Sequence, residues 1–226
     1  MLSPTPHAPA AVLVTGVDGP LACAVARRLS GARAPLVLAA PALWFARAAK
    51  EEVDRLRALS RSPALAFAIQ ADPENLGEVA AAIAAACEVA GPLAFVVVCA
   101  PLRLHGDGDG SPSPDVSPFG LVLEAVAALP DGACTGGLVL AAHVLPPLGD
   151  HDARQALYAL ARGASHGLGG TPIHVVTVAD PLAAAAARAF GLMDRPFGAD
   201  VAHATRRLET AADAVCAIVV GCPPAA

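Results

Sequence analysis

The stretch Thr15-Gly16-Val17-Asp18-Gly19-Pro20-Leu21-Ala22 holds the residue types that let a phosphate approach a backbone. It follows a short apolar run, Ala11 to Thr15, and opens a helical one, Leu21 to Leu29. A glycine at the end of a strand permits a tight turn, and a second lets a pyrophosphate come close to the main chain. A small third residue lets the helix pack near the strand. Gly16, Gly19 and Ala22 fill those three places. The helix N-terminus then offers unpaired N–H groups to the anion. Asp18 lies inside the turn, where its charge opposes a phosphate or its side chain caps the following helix. Other chemistry is sparse. Six cysteines, at 23, 87, 99, 134, 216 and 222, form no CxxC pair, and most sit in apolar segments. They read as small buried hydrophobes of a reducing, cytoplasmic compartment, and no Cys/His spacing points to a metal. The run from His105 to Gly110 alternates Gly and Asp but lacks the spacing and terminal Glu of a calcium loop, so it is expected to be a solvated loop.

The elements that must hold this turn come from periodicity. Strands are expected at Ala11 to Thr15, Pro35 to Ala39, Ala64 to Ile69, Leu93 to Cys99, Gly137 to Ala142 and Ile173 to Val178, with a last one at Val215 to Val220. Helices are expected at Leu21 to Leu29, Leu43 to Leu59, Asn75 to Val89, Phe119 to Leu129, Asp152 to Ser165, Leu182 to Phe190 and Val201 to Leu208. Pro101 to Pro118, rich in Gly, Pro and Ser, is expected to be loop. The run Leu93 to Cys99 is continuously apolar, as a strand buried on both faces should be. Strands alternating with helices give an α/β fold: a doubly wound parallel sheet, Rossmann-like, in a single three-layer domain. No repeat or composition shift divides residues 11–226, and Met1 to Ala10, with three prolines and no basic n-region, reads as a flexible leader.

Composition narrows the partners. The 226 residues carry a net charge of -5, with 15 Lys and Arg against 20 Asp and Glu. Only 4% are aromatic and the arginines are scattered, which argues against nucleic acid. No apolar run reaches the ~20 residues that span a bilayer. Alanine is abundant, while Lys50 is the sole lysine and Asn75 the sole asparagine.

On these residues the chain resembles the short-chain dehydrogenase/reductase family over nearly its whole length. The first turn is similar to that family's TGxxGxxG form. Ala71-Asp72-Pro73 resembles the acidic residue that contacts adenine, with helix capping as its other reading. Phe95 to Ala100 is similar to the strand leading into an NNAG motif, and Tyr158 to Arg162 to the YxxxK helix. The resemblance implies NAD or NADP, held by Thr15, Gly16, Gly19, Ala22, Asp72 and Ala100, and a small carbonyl or hydroxyl substrate, whose side the segments Pro101 to Pro118 and Leu182 to Asp200 are expected to line. It implies Tyr158 as proton donor with Arg162 as the neighbouring cation, both on one face of a helix at i, i+4 spacing. It also implies a homo-oligomer, or a pairing with a related subunit, through the helices Phe119 to Leu129 and Asp152 to Ser165. Leu121, Val122, Val126, Leu157 and Leu160 are the apolar residues those helices offer.

Departures from the family pattern are concentrated at the chemistry. NNAG reads Val98-Cys99-Ala100-Pro101, no Ser or Thr lies between Thr135 and Ser165, and Arg162 stands where the family has Lys. His143 or His151 would have to replace the missing Ser. Leu38 to Pro41 carries neither the acid that selects NAD nor a base for a 2′-phosphate. Three readings stay open: a divergent NAD(P)-dependent reductase, a non-catalytic pseudoenzyme subunit of the same fold, and a protein that senses a dinucleotide without turnover.

Overall fold

The structure, a computed structural model, describes residues 11–32, 35–60, 65–106, 112–130, 133–179 and 199–221. Apolar alternation produces the layers. β1 (Ala11–Thr15) leads into α1 (Pro20–Gly31), β2 (Leu36–Ala40), α2 (Leu43–Ser60), β3 (Ala66–Gln70) and α3 (Leu76–Ala90). β4 (Leu93–Leu102), β5 (Leu104–Gly106), β6 (Pro112–Pro114) and α4 (Ser117–Ala127) follow, then β7 (Cys134–Val144), α5 (Asp150–Ala164), β8 (Ile173–Ala179) and α6 (Ala199–Val220). Six parallel strands form one sheet in the order β3-β2-β1-β4-β7-β8. Within each central strand successive side chains enter opposite cores. Leu13, Val37, Val96 and Leu138 pack with α3, α4 and α5, while Val12, Leu36, Val97 and Val139 pack with α1, α2 and α6. The doubly wound, three-layer expectation holds, and the chain reverses direction across the sheet between β1 and β4, where such folds bind ligands.

Local chemistry sets the element ends that matter to the site. Pro20 starts α1 at a position that tolerates a missing N–H. Asn75 caps α3, its Oδ1 accepting from the Gly77 and Glu78 N–H groups at 3.0 and 3.3 Å. Asp72 does not cap that helix; its carboxylate accepts the Glu74 N–H in a local turn. Asn75→Ala is expected to remove about 1 kcal/mol. Thermal unfolding should read this as a fall of about 2–4 °C.

Two expectations are corrected. Val215 to Val220 is not a strand but the last part of α6. Its β-branched run favours a strand locally. Tertiary packing overrides this, because Leu208, Ala211, Ala212 and Val215 recur at helical spacing and are buried in the core shared with α1. Arg28 of α1 holds Asp213 of α6 at 2.8 Å. The segment from Pro101 to Pro118 is not all loop. β4 runs on to Leu102, and Leu104 to Gly106 pairs antiparallel with Pro112 to Pro114. β1 stops opposite Val98, so beyond that point β4 has a free edge where Pro101 is tolerated. The expected helix Leu182 to Phe190, the leader, and Asp107 to Ser111 lie outside the described residues. Of the five apolar residues offered to a partner, Val122, Val126 and Leu157 are buried in the chain's own core, and Leu121 and Leu160 are half-buried. No helix among the described residues is long and apolar enough to cross a membrane.

Candidate functional site

The carboxyl ends of β1, β2, β3 and β4 open onto a cavity of about 410 Å³. Its floor is core: Leu13, Ala39, Val79, Ile83, Val98 and Val122. Its mouth is charged, with Asp18, Asp72, Glu74, Arg103 and Asp115. A second cavity of about 260 Å³ lies over the start of α1 and is lined by Gly19, Leu21, Ala22, His143 and Leu145 among others. The two share Gly16, Asp18, Cys99, Ala100 and Pro101, so they form one cleft folded over the first turn.

The turn is shaped by sterics. Gly16 has φ +72°, and a Cβ there would stand 1.9 Å from the Cys99 carbonyl oxygen. Only glycine lets β1 turn this close to β4. The Gly19 N–H donates to the Gly16 carbonyl at 2.9 Å, and Val17 N–H to Ala39 at 3.2 Å. No side chain caps α1, so Asp18 does not serve that role. It is exposed and lines both cavities. Leu21 and Ala22, in the first turn of α1, line the second cavity, where first-turn N–H groups lack helical partners. Cys99 also lines the cleft, but burial raises its thiol pKa, and burial does the same at Cys23. Both stay thiols at neutral pH, which fits their reading as small hydrophobes.

The cleft gathers Thr15, Gly16, Gly19, Ala22, Asp72, Ala100 and His143 of the residues singled out from the sequence. His143 is 7% exposed on β7, paired in register with Pro101. Tyr158 and Arg162 are not among the lining residues. Tyr158 is 50% exposed on α5, whose buried face is Ala153, Leu157 and Ala161, and Arg162 is exposed one turn later. His151, also exposed, pairs with Gln155 at 3.0 Å. Leu145, near the place where the family has its Ser, does line the second cavity and brings no hydrogen-bonding side chain there. Glu74 joins the site without having been singled out; Pro41 comes from the strand end read for a cofactor-selecting residue, and Arg103 and Asp115 come from the Pro101 to Pro118 segment expected on the substrate side. Pro41 and Glu74 follow strand ends and were findable by the rule that such ends carry sites. Nothing in the spacing of Arg103 or Asp115 marks them.

No family model and no curated protein matches this sequence. Solved structures do match the fold. An alcohol dehydrogenase from the archaeon Thermococcus sibiricus, complexed with 5-hydroxy-NADP, is 16% identical at a TM-score of 0.60, over 92% of this chain and 90% of that one. A metagenomic short-chain oxidoreductase in complex with NADP is 18% identical at 0.56, over 93% and 91%. A short-chain type dehydrogenase/reductase from Mycobacterium marinum is 14% identical at 0.55, over 74% and 71%. At such identities the likeness is one of fold: this chain has the fold of the short-chain dehydrogenase/reductases.

Proposed function

We propose that the chain is a member of the short-chain dehydrogenase/reductase family that binds a nicotinamide dinucleotide along the folded cleft and acts as an oxidoreductase on a small carbonyl or hydroxyl compound. The observation that carries this is the continuous cleft over the Gly16–Ala22 turn, at the carboxyl ends of the strands where the sheet reverses. The residues fit such a group in three respects. The backbone at Gly16 has the close approach that a Cβ would fill. The first turn of α1 supplies N–H donors to a pyrophosphate. The apolar floor of the larger cavity suits a planar base, with Asp72 and Glu74 at its mouth. Asp18 opposes an anion and lowers the affinity the turn would otherwise give.

A bound nicotinamide supplies the hydride; the chain supplies the rest. Ala100, Pro101 and Leu145 give the second cavity an apolar wall beside His143. The titratable side chains of that wall are Asp18, Cys99, whose thiol burial keeps protonated, and His143, whose imidazole holds and delivers the proton that a carbonyl oxygen requires. Tyr158 and Arg162 would take this task only if α5 turned them toward the cleft.

A second reading, a non-catalytic member of the same fold, is favoured by the half-exposed Tyr158 outside both cavity walls. Titration with NADH and NADPH, followed by energy transfer from Trp44, tests binding. Turnover of carbonyl compounds by wild type, His143→Gln and Tyr158→Phe then tests chemistry. The oxidoreductase reading expects binding in all three proteins. It expects turnover lowered about 10²-fold or more by His143→Gln, seen in kcat rather than in cofactor affinity. Binding without wild-type turnover would make the chain a dinucleotide sensor, and absence of binding would defeat the oxidoreductase reading and leave the non-catalytic member of the fold.

A further inference from the structure

The cleft is unusually acidic for a site that takes phosphates. Asp18, Asp72, Glu74 and Asp115 all line the larger cavity. Among the described residues, Arg103 is the only lysine or arginine on the wall of either cavity. It follows directly on β4, two residues after Pro101, which belongs to both cavities. Its main chain is fixed, because the Asp115 N–H donates to the Arg103 carbonyl at 2.8 Å at the base of the β5–β6 hairpin.

Its side chain is held differently. The guanidinium Nε lies 3.9 Å from the Asp115 carboxylate, a charge contact too long for a hydrogen bond. One oxygen of the Asp115 carboxylate, Oδ1, accepts from the Ser117 N–H at 3.2 Å and the Ser117 hydroxyl at 2.5 Å, while the other, Oδ2, faces Arg103. The hydroxyl bond is the main reason that the Asp115 carboxyl stays below its ordinary pKa, so it is ionised at neutral pH. Arg103 is therefore kept near the cleft by attraction while its planar fork of donors is left unspent, and that fork matches a phosphate bidentately. The side chain is 61% exposed, so little packing resists its movement.

We propose that Arg103 is the phosphate-contacting side chain of the cleft, kept beside Asp115 until an anionic ligand takes its fork. The inference rests on the dinucleotide reading and adds to it the residue that offsets Asp18. It accounts for how a turn burdened with a carboxylate would still accept a pyrophosphate.

The test is calorimetric titration of the full chain with NADH, ADP and adenosine, at low and moderate salt. The proteins are wild type, Arg103→Gln, Arg103→Lys, Asp115→Asn and the double variant of Arg103→Gln with Asp115→Asn. Arg103→Gln is expected to weaken NADH and ADP about tenfold, as loss of a charged hydrogen bond does, and to leave adenosine unchanged. Its NADH affinity should also depend less on salt than that of wild type. Arg103→Lys, which keeps the charge and the pairing with Asp115, should retain part of the affinity. Asp115→Asn keeps an acceptor for Ser117 but releases the fork, so it should tighten NADH and ADP several-fold. That gain should vanish in the Arg103→Gln background, because it works through Arg103. If Arg103→Gln and Asp115→Asn weaken binding alike, the pair only braces the hairpin and the proposal fails. If wild type binds NADH and Arg103→Gln binds it equally well, the proposal fails while the dinucleotide reading stands. A gain from Asp115→Asn that persists without Arg103 is plain charge removal and also overturns it. If wild type binds none of the three probes, both fall together.

Discussion

Gly16→Ala is expected to destabilise the fold by roughly 3 kcal/mol and to abolish dinucleotide binding. Two effects add at this residue. Its φ of +72° is a conformation in which an L side chain costs about 1–2 kcal/mol. Its Cβ would also stand 1.9 Å from the Cys99 carbonyl oxygen, which is backbone and has no rotamer with which to escape. Relief requires β1 and β4 to part at the place where both cavities meet, and overpacking of this kind adds about 1–3 kcal/mol. For a chain of this size the unfolding midpoint should fall by about 6–12 °C. Gly91→Ala is the control. Gly91 has φ +79°, but a Cβ there meets nothing within 4 Å, so only the first effect applies. It lies after α3, at the start of β4 and away from the turn, so NADH binding should be unchanged. Calorimetric melting and NADH titration of both variants decide the matter. Gly16→Ala melting as Gly91→Ala does would mean that β1 and β4 do not approach as described.

Phe119→Ala is expected to remove about 3–5 kcal/mol, the largest effect of a single side-chain truncation among the described residues. Phe119 is fully buried in the core between the sheet and the helices α3, α4 and α5. It is among the largest fully buried side chains, so truncation leaves a large cavity as well as losing transfer energy. The consequence reaches the site, because the neighbouring Pro118 and Val122 of α4 line the larger cavity. Collapse of α4 into the void should therefore weaken NADH binding along with stability. Phe119→Leu, which keeps most of the volume, should lose less than about 1.5 kcal/mol and retain binding. Chemical denaturation gives the stabilities, and the same NADH titration gives the coupling. A Phe119→Ala protein with full stability would show that α4 is not anchored by this ring.

The central sheet and the first turn were legible in the amino-acid order. β1, β2, β4 and β7 are buried on both faces, so their sequences are nearly unbroken apolar runs that need no partner to be recognised. Gly16 was legible because its requirement is local, a backbone angle at the end of a strand. Asn75 capping α3 was less so, since Asp72 lies in the same short stretch and has similar chemistry.

What lies in side-chain contact over long sequence separations was decided by tertiary structure. The run Val215 to Val220 has strand-forming residues, yet burial against α1 holds it in α6. Pro101 to Pro118 has loop composition, yet the extension of β4 beside β7 carries it into a hairpin that brings Arg103 and Asp115 to the cleft. Tyr158 and Arg162 share a helix face by their spacing, but the direction of that face is set by the burial of Ala153, Leu157 and Ala161 beneath it. Periodicity fixes which residues lie together on an element; only packing between elements decides where each face points, and at this site that decision put His143 and Arg103 on the cleft walls and left Tyr158 half exposed.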